Sequence, residues 1–427
     1  MSDAPCHPVI TIEQRMLACG ATLLVEANPS VQSTSIAWWI PTGTMHDAPT
    51  TEHEDMGGCA ILCGAMLERG AGGRSSREFN DELDRIGVIR DISVRSTLTR
   101  INASVRGEKL EPALELLTDL ICRPALPEDA LEPIRSLCLQ AIDGLLDDPP
   151  TRAGVHLSHR AAPPPLNRSS YGSAKAIGET SLDEVRAAWQ QRFRPQGSII
   201  AIAGAVEPEK VAAQLDRILD GWEGAPPPMP ALSDPIGGTA HLIQETAQVH
   251  LEMALDAPLV ATEQELPFLA ATRALGGGSS SRLFTNVRER QGLCYDVHAG
   301  YGASKYFGLC TVGAGTTPDR AEKTVSCIHE ELERFGAEGL EHEEFDRIRR
   351  SLKTRLMMHG ESTSARATGI ATDQYSRGYA RTLADLSTSI EDLTFEEVDA
   401  VAREYMTPTR IAESVRVAIG PSSPFPD

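Results

Sequence analysis

The residues of this 427-residue chain best placed to do chemistry lie in Gly276–Tyr306, GGGSSSRLFTNVRERQGLCYDVHAGYGASKY. Arg288 and Tyr295 stand seven positions apart in it, and both are hydrogen-bond donors able to hold a peptide carbonyl or to stabilise an oxyanion. Leu283, Phe284 and Val287 recur at helical spacing, which predicts a helix starting near Ser280 or Ser281. Gly292 then breaks the pattern, and Cys294–Val297 reads as a strand with Tyr295 and Val297 on one face. Helix, turn and strand would bring Arg288 and Tyr295 together. On residue type alone, the arginine reads as a solvated charge and the tyrosine as strand packing.

The rest of the composition narrows the class. A net charge of −20 repels nucleic acid and anionic membrane faces as main partners. The amino terminus, MSDAPCHPVITIEQRMLACG, has no basic segment followed by an apolar core, so no signal peptide is expected. No apolar run approaches the roughly 18 residues of a membrane span. Nine cysteines, an odd number set mostly in apolar stretches, suit reduced buried thiols, and a cytoplasmic protein is expected. Cys59 and Cys63 are four apart on a predicted helix and read as packing, since no second pair accompanies them.

Apolar patterning sets out the elements that must carry the pair. Strands are expected across 8–48, a buried helix at Gly57–Arg69, two exposed-edge strands across 88–106, and helices at about 108–122 and 127–147. GSIIAIAGA at 197–205 is a fully apolar strand, and WEGAPPPMPALSDPIGG is a linker. The order then repeats. Glu128–Leu137 aligns with Glu343–Leu352 at an offset of 215, and Ser181–Pro195 with Thr394–Pro408 at an offset of 213. Two homologous tandem α/β domains are therefore expected, 8–222 and 240–420, joined by the linker 223–239. The class is α+β, each domain a mostly antiparallel sheet with helices on one face.

SSRLFTNVRERQGLCYDV resembles the carboxy-terminal signature of the pitrilysin/insulinase/processing-peptidase family of zinc metallopeptidases. YGSAKAIGETSLDEVRAAWQQRFRP, GESTSARA and TFEEVDAVAREYMTP resemble further family segments in the same order. The resemblance implies that Arg288 and Tyr295 bind substrate across a chamber from the metal. It also marks a departure. Active members carry H-x-x-E-H, whose histidines hold zinc and whose glutamate activates water. Aligned on Met66-Leu67-Glu68-Arg69-Gly70, the histidine positions fall on Ile61 and Ala65 and the base on Gly64; the third ligand position falls on Ala141, ahead of Asp147-Asp148-Pro149. None of the four binds zinc or moves a proton. No cofactor is expected on this chain, and zinc only on a partner.

The implied function is a non-catalytic subunit of a two-chain peptidase: a heterodimer with a zinc-binding homologue of similar length, acting on a peptide or unfolded protein. The alternative is a non-enzymatic scaffold or peptide-binding protein on the same fold. Other candidate groups read as structural. His156 and His159 lie a turn apart without a matching carboxylate; Glu52-His53-Glu54-Asp55 and Glu341-His342-Glu343-Glu344 read as wet surface or a first helical turn; Ser362 sits in GESTS, not in a nucleophile elbow.

Overall fold

The computed structural model describes residues 11–47 and 57–425, arranged in two compact units. In the first unit the strands are β1 (Ile12–Met16), β2 (Thr22–Ala27), β3 (Ser33–Ile40), β4 (Ile89–Val94), β5 (Thr99–Arg106) and β6 (Ile199–Gly204). They lie in the order β1-β2-β6-β3-β5-β4, with β2 and β6 parallel and the other pairs antiparallel. The second unit has β7 (Thr239–Ile243), β8 (Val249–Asp256), β9 (Cys294–Ala303), β10 (Gly308–Thr316) and β11 (Val415–Gly420), in the order β7-β11-β8-β10-β9. Here β7 and β11 are the parallel pair. Apart from β1, the two sheets have one topology, as the internal repeat requires. Of the two strands read from 88–106, only β4 is an edge; β5 pairs on both sides.

The repeat extends to chain ends of helices. Helices Leu182–Arg192 and Phe395–Tyr405 each open on a reciprocal capping box, Ser181 with Glu184 and Thr394 with Glu397. The cap satisfies two of the otherwise unpaired N–H groups of a first turn, so aligned sequence becomes aligned structure.

The units do not follow the contiguous spans 8–222 and 240–420. The first consists of residues up to 142, 168–231 and 357–386; the second of 143–167, 232–356 and the rest. Each therefore contains a helix from the opposite half of the sequence. The reason is visible in the sheets, which are apolar on both faces at their centres. In the first unit, Leu23, Ile36, Trp38 and Ile101 pack under that half's own helices, while Leu24, Ala37, Trp39 and Ala201 need a second cover. Ala367, Ile370 and Ala371 of helix Thr363–Arg377 provide it. In the second unit, Leu157 and Ala161 of helix Pro149–Ala161 cover Ala254 and Val417. Helix Thr363–Arg377 is further fixed by a buried ion pair, Arg366 Nε donating to Glu26 at 2.9 Å. Ser362 is its amino-terminal cap, accepting from the Ala365 N–H at 3.2 Å.

The linker 223–239 has no regular structure before β7 begins at Thr239, and the division between units falls within it at 231/232. No helix among the described residues is long and apolar enough to cross a membrane. Glu52-His53-Glu54-Asp55 and Cys6 lie outside the described residues.

Candidate functional site

Arg288 and Tyr295 do meet. Helix Glu265–Gly276 ends where Gly276 is pressed against β9: a side-chain carbon there would lie 2.2 Å from the Ala299 nitrogen. The next segment is a helical turn of wider gauge. A π-helix runs over Phe284–Arg290 behind two residues of ordinary α-helical pitch, Arg282 and Leu283, a little later than predicted. Leu283 and Val287 are fully buried and seat the turn on the core of the second unit. An ion pair and a hydrogen bond anchor it from behind, Arg282 Nε donating to Glu344 at 2.9 Å and Asn286 Nδ2 to Glu331 at 2.7 Å.

Held in this way, Arg288 places its guanidinium between two rings, 4.6 Å from the centroid of Phe284 and 4.9 Å from that of Tyr295. Each stack is worth about 0.5–1 kcal/mol at an exposed site. Stacking occupies the faces of the guanidinium and leaves its N–H edge unspent. Among the described residues no hydrogen bond or ion pair takes up those donors.

Tyr295 corrects the strand reading. β9 pairs with β10 as Asp296 with Gly315 and then Cys294 with Thr316, so Tyr295 is the unpartnered residue of a β-bulge. Val297 is buried as expected, but Tyr295 is 77% exposed and does not share its face. A bulge re-aims one side chain without ending the strand. Neither the bulge nor the role of Phe284 shows in residue spacing; Gly315, at the point where the register shifts, is the nearest sequence signal.

The four positions aligned with the zinc motif behave differently. Ile61, Gly64 and Ala65 share helix Cys59–Met66, shorter than the predicted Gly57–Arg69, and line one pocket of about 360 Å³ with β4. The helix start is capped from a distance, the Gly58 N–H donating to Asp47 Oδ2 at 2.9 Å while Arg192 donates to Asp47 Oδ1 at 2.7 Å. Ala141 is outside the pocket lining, exposed on helix Glu128–Asp143. Among the described residues, the only ionisable groups lining the pocket are Arg95 and Glu68, and Glu68 is 3.0 Å from Arg90. These residues do not fit a zinc ion: the donor positions are hydrocarbon, and an arginine faces the site. Gly64 has also closed up. A side-chain carbon on it would lie 2.5 Å from Val94 Cγ2.

The remaining candidates are structural in form. Cys63 is buried in the core, and burial pushes the Cys59 thiol up to about 12, so both stay protonated and inert. His156 and His159 lie on helix Pro149–Ala161. Glu341 to Glu344 form the start of helix His342–Gly360, where Glu344 is buried against Arg282 and His342 stacks on Phe395 at 3.9 Å. Among the described residues, no group of three or more His, Cys, Asp or Glu is placed to hold a metal ion.

Comparison with known proteins places this geometry. Residues 22–162 match the family described as insulinase (peptidase family M16), and residues 180–352 match the peptidase M16 inactive domain. The zinc protease YmxG of Bacillus subtilis is 25% identical over 397 residues, covering 91% of this chain and 94% of that one. A zinc protease of Streptomyces coelicolor is 25% identical, covering 94% and 88%. Among solved structures, the peptidase M16 inactive domain from Pseudomonas fluorescens superposes with a TM-score of 0.85 at 20% identity, covering 97% of this chain and 98% of that one. A protease from Helicobacter pylori gives 0.86 at 18% identity, covering 96% and 100%. These two share the fold.

Proposed function

Because the chain belongs to the insulinase family of M16 peptidases, we propose that it is the substrate-gripping, non-catalytic subunit of a two-chain peptidase whose zinc lies on a partner. The observation that carries the reading is a contrast between two sites. The metal-site positions hold Ile61, Gly64, Ala65 and Ala141, and Gly64 is closed by Val94. The gripping position keeps an arginine stacked between two rings with its donors unspent and a phenol turned outward.

In this role Arg288 donates to a backbone carbonyl of the substrate. Tyr295 donates to the oxygen that gains charge at the scissile carbonyl, an interaction stronger in the transition state than in the ground state. The proton-transfer and water-activating groups belong to the partner, a zinc-binding homologue of similar length. The substrate is a peptide or an unfolded protein segment, and the complex works in the cytoplasm.

The test is co-expression with an H-x-x-E-H homologue from the same organism, followed by size-exclusion chromatography, metal analysis and peptide digestion by each chain alone and by both. One co-eluting complex, with hydrolysis only when both chains are present, is expected. Hydrolysis by this chain alone, or by the partner at the full rate without it, refutes the proposal.

A further inference from the structure

The open end of the second unit's sheet carries a group of titratable side chains that the reading above does not use. Cross-strand register puts His298 of β9, Gly313 of β10 and Glu252 of β8 on one rung. Asp296, Gly315 and His250 form the next rung on the same face. Glycine in the middle of each rung leaves nothing between the outer side chains. A side-chain carbon on Gly313 would lie 2.6 Å from Glu252 Oε1 and 2.8 Å from His298 Nε2.

His298 Nδ1 lies 3.3 Å from Asp296 Oδ2, and in the neutral tautomer protonated at Nδ1 it donates to that carboxylate. With its proton donated there, the ring presents Nε2 as an acceptor. An ionised Glu252 is also an acceptor, so two acceptors converge over a glycine with no donor between them. The fully buried carboxylates are treated differently: Glu26, Asp47, Asp119, Glu331, Glu344 and Asp373 each pair with an arginine, whereas Glu252 is half-buried. Among the described residues the Glu252 carboxylate has neither an ion pair nor a hydrogen bond, and burial with Asp296 nearby pushes its pKa up to about 7.

We propose that Glu252 and His298 form a subsite for the ammonium or guanidinium group of a basic side chain in a bound peptide, the donor that both acceptors lack. It rests on the peptide-gripping reading. Tyr295 precedes His298 by three residues on the same strand, roughly 10 Å at about 3.3 Å per residue, so one short peptide reaches both. A basic side chain fits the strip better than a metal ion, which needs a third donor that the cluster does not place.

The other charged groups near Glu252 are accounted for. Asp296 and His298 face it from β9; His250 is two residues along its own strand and feels Asp148. Helix Pro149–Ala161, packed on β8, carries His156 and His159 and two arginines already engaged, Arg152 with Gln244 and Arg160 with the Gly237 carbonyl. Cation binding should therefore strengthen from pH 6 to pH 8, as Glu252 ionises.

The experiment titrates the full chain with two labelled peptides, otherwise uncharged, that carry lysine or norleucine at one position, read by fluorescence anisotropy. At pH 8 the lysine peptide is expected to bind about tenfold more tightly, the scale of one charge-assisted contact. The preference should disappear at pH 6, in Glu252→Gln, and in Gly313→Ala, which fills the gap without changing charge. Equal binding of both peptides at pH 8 overturns the subsite and leaves the gripping role standing. Binding of neither overturns both. A Glu252-dependent rise in Tm with zinc chloride, without any lysine preference, overturns the subsite by giving the pair to a metal.

Discussion

Glu252→Gln should make the protein more stable above neutral pH, a consequence of the same carboxylate that needs no ligand to test. Its pKa rises from 4.5 to about 7 on folding, through burial first and Asp296 second. A carboxyl raised in this way binds its proton more tightly in the folded state. The associated stability is fully present below about pH 4.5 and is lost as pH climbs through about 7. At roughly 1.4 kcal/mol per pKa unit the loss is about 3 kcal/mol at most, and screening through the open side of the sheet reduces it to about 2. Glutamine keeps the shape and cannot ionise. The variant should match the parent at pH 4.5, diverge between pH 4.5 and 7, and hold a constant lead of about 2 kcal/mol above that. For a unit of this size the lead is about 4–8 °C in Tm. Differential scanning calorimetry of both proteins across that range measures it, and the difference cancels His250, whose pKa burial lowers in both. Parallel curves at all pH values, or a less stable variant at pH 8, would refute the assignment of Glu252 as an uncompensated carboxylate.

Other perturbations test the remaining sites. Writing the zinc motif back as Ile61→His, Gly64→Glu, Ala65→His and Ala141→Glu should yield little bound zinc by plasma emission spectroscopy, because the new side chain at 64 meets Val94; adding Val94→Ala should raise occupancy. Arg366→Ala, which leaves Glu26 buried and unpaired, should cost about 3–5 kcal/mol in urea denaturation, whereas exposed Arg77→Ala should change it by under about 0.5. Tyr295→Phe should lower kcat of the two-chain enzyme while leaving assembly intact, and unchanged turnover would count against its role. Phe284→Ala removes one of the two rings around Arg288 and should raise KM for peptide, with little effect on Tm expected beyond the loss of a half-buried ring.

What residue order conveyed about this fold was chiefly local. Capping boxes at Ser181 and Thr394, the apolar run before Gly204 and the proline-rich break near 225 are each signals within a few residues, and each marks the element it should. The repeat gave the two-sheet plan because two helix pairs, one of them with the same capping box, recur at offsets of 215 and 213. Helix exchange was not legible. Helix Thr363–Arg377 is small and apolar on one face whichever sheet it covers, and what specifies the first unit is polar contact at long range, Arg366 meeting Glu26 across 340 residues and Thr363 meeting Ser35 across 328. The bulge at Tyr295 was hidden for a related reason: register belongs to a pair of strands, and one strand's alternation cannot show where its partner skips a residue.

The same logic explains why Glu252 escaped notice and why it matters. In VHLEMALD it sits at the outward position of an alternating strand, the ordinary place for a charge. Its isolation comes from three strands at once: glycine at 313, a histidine oriented by Asp296, and the absence of any arginine on that rung. A chain that supplies arginines to its six buried carboxylates has left half-buried Glu252 without one, on the strip continuous with the strand of Tyr295. An uncompensated carboxylate costs stability above pH 7 whether or not a ligand comes, so the two measurements bear on each other. If the glutamine variant gains stability and loses the lysine preference together, stability has been exchanged for recognition at this rung. If it gains stability alone, the cluster is a strained corner of the sheet and the peptide is held by Arg288 and Tyr295 without it.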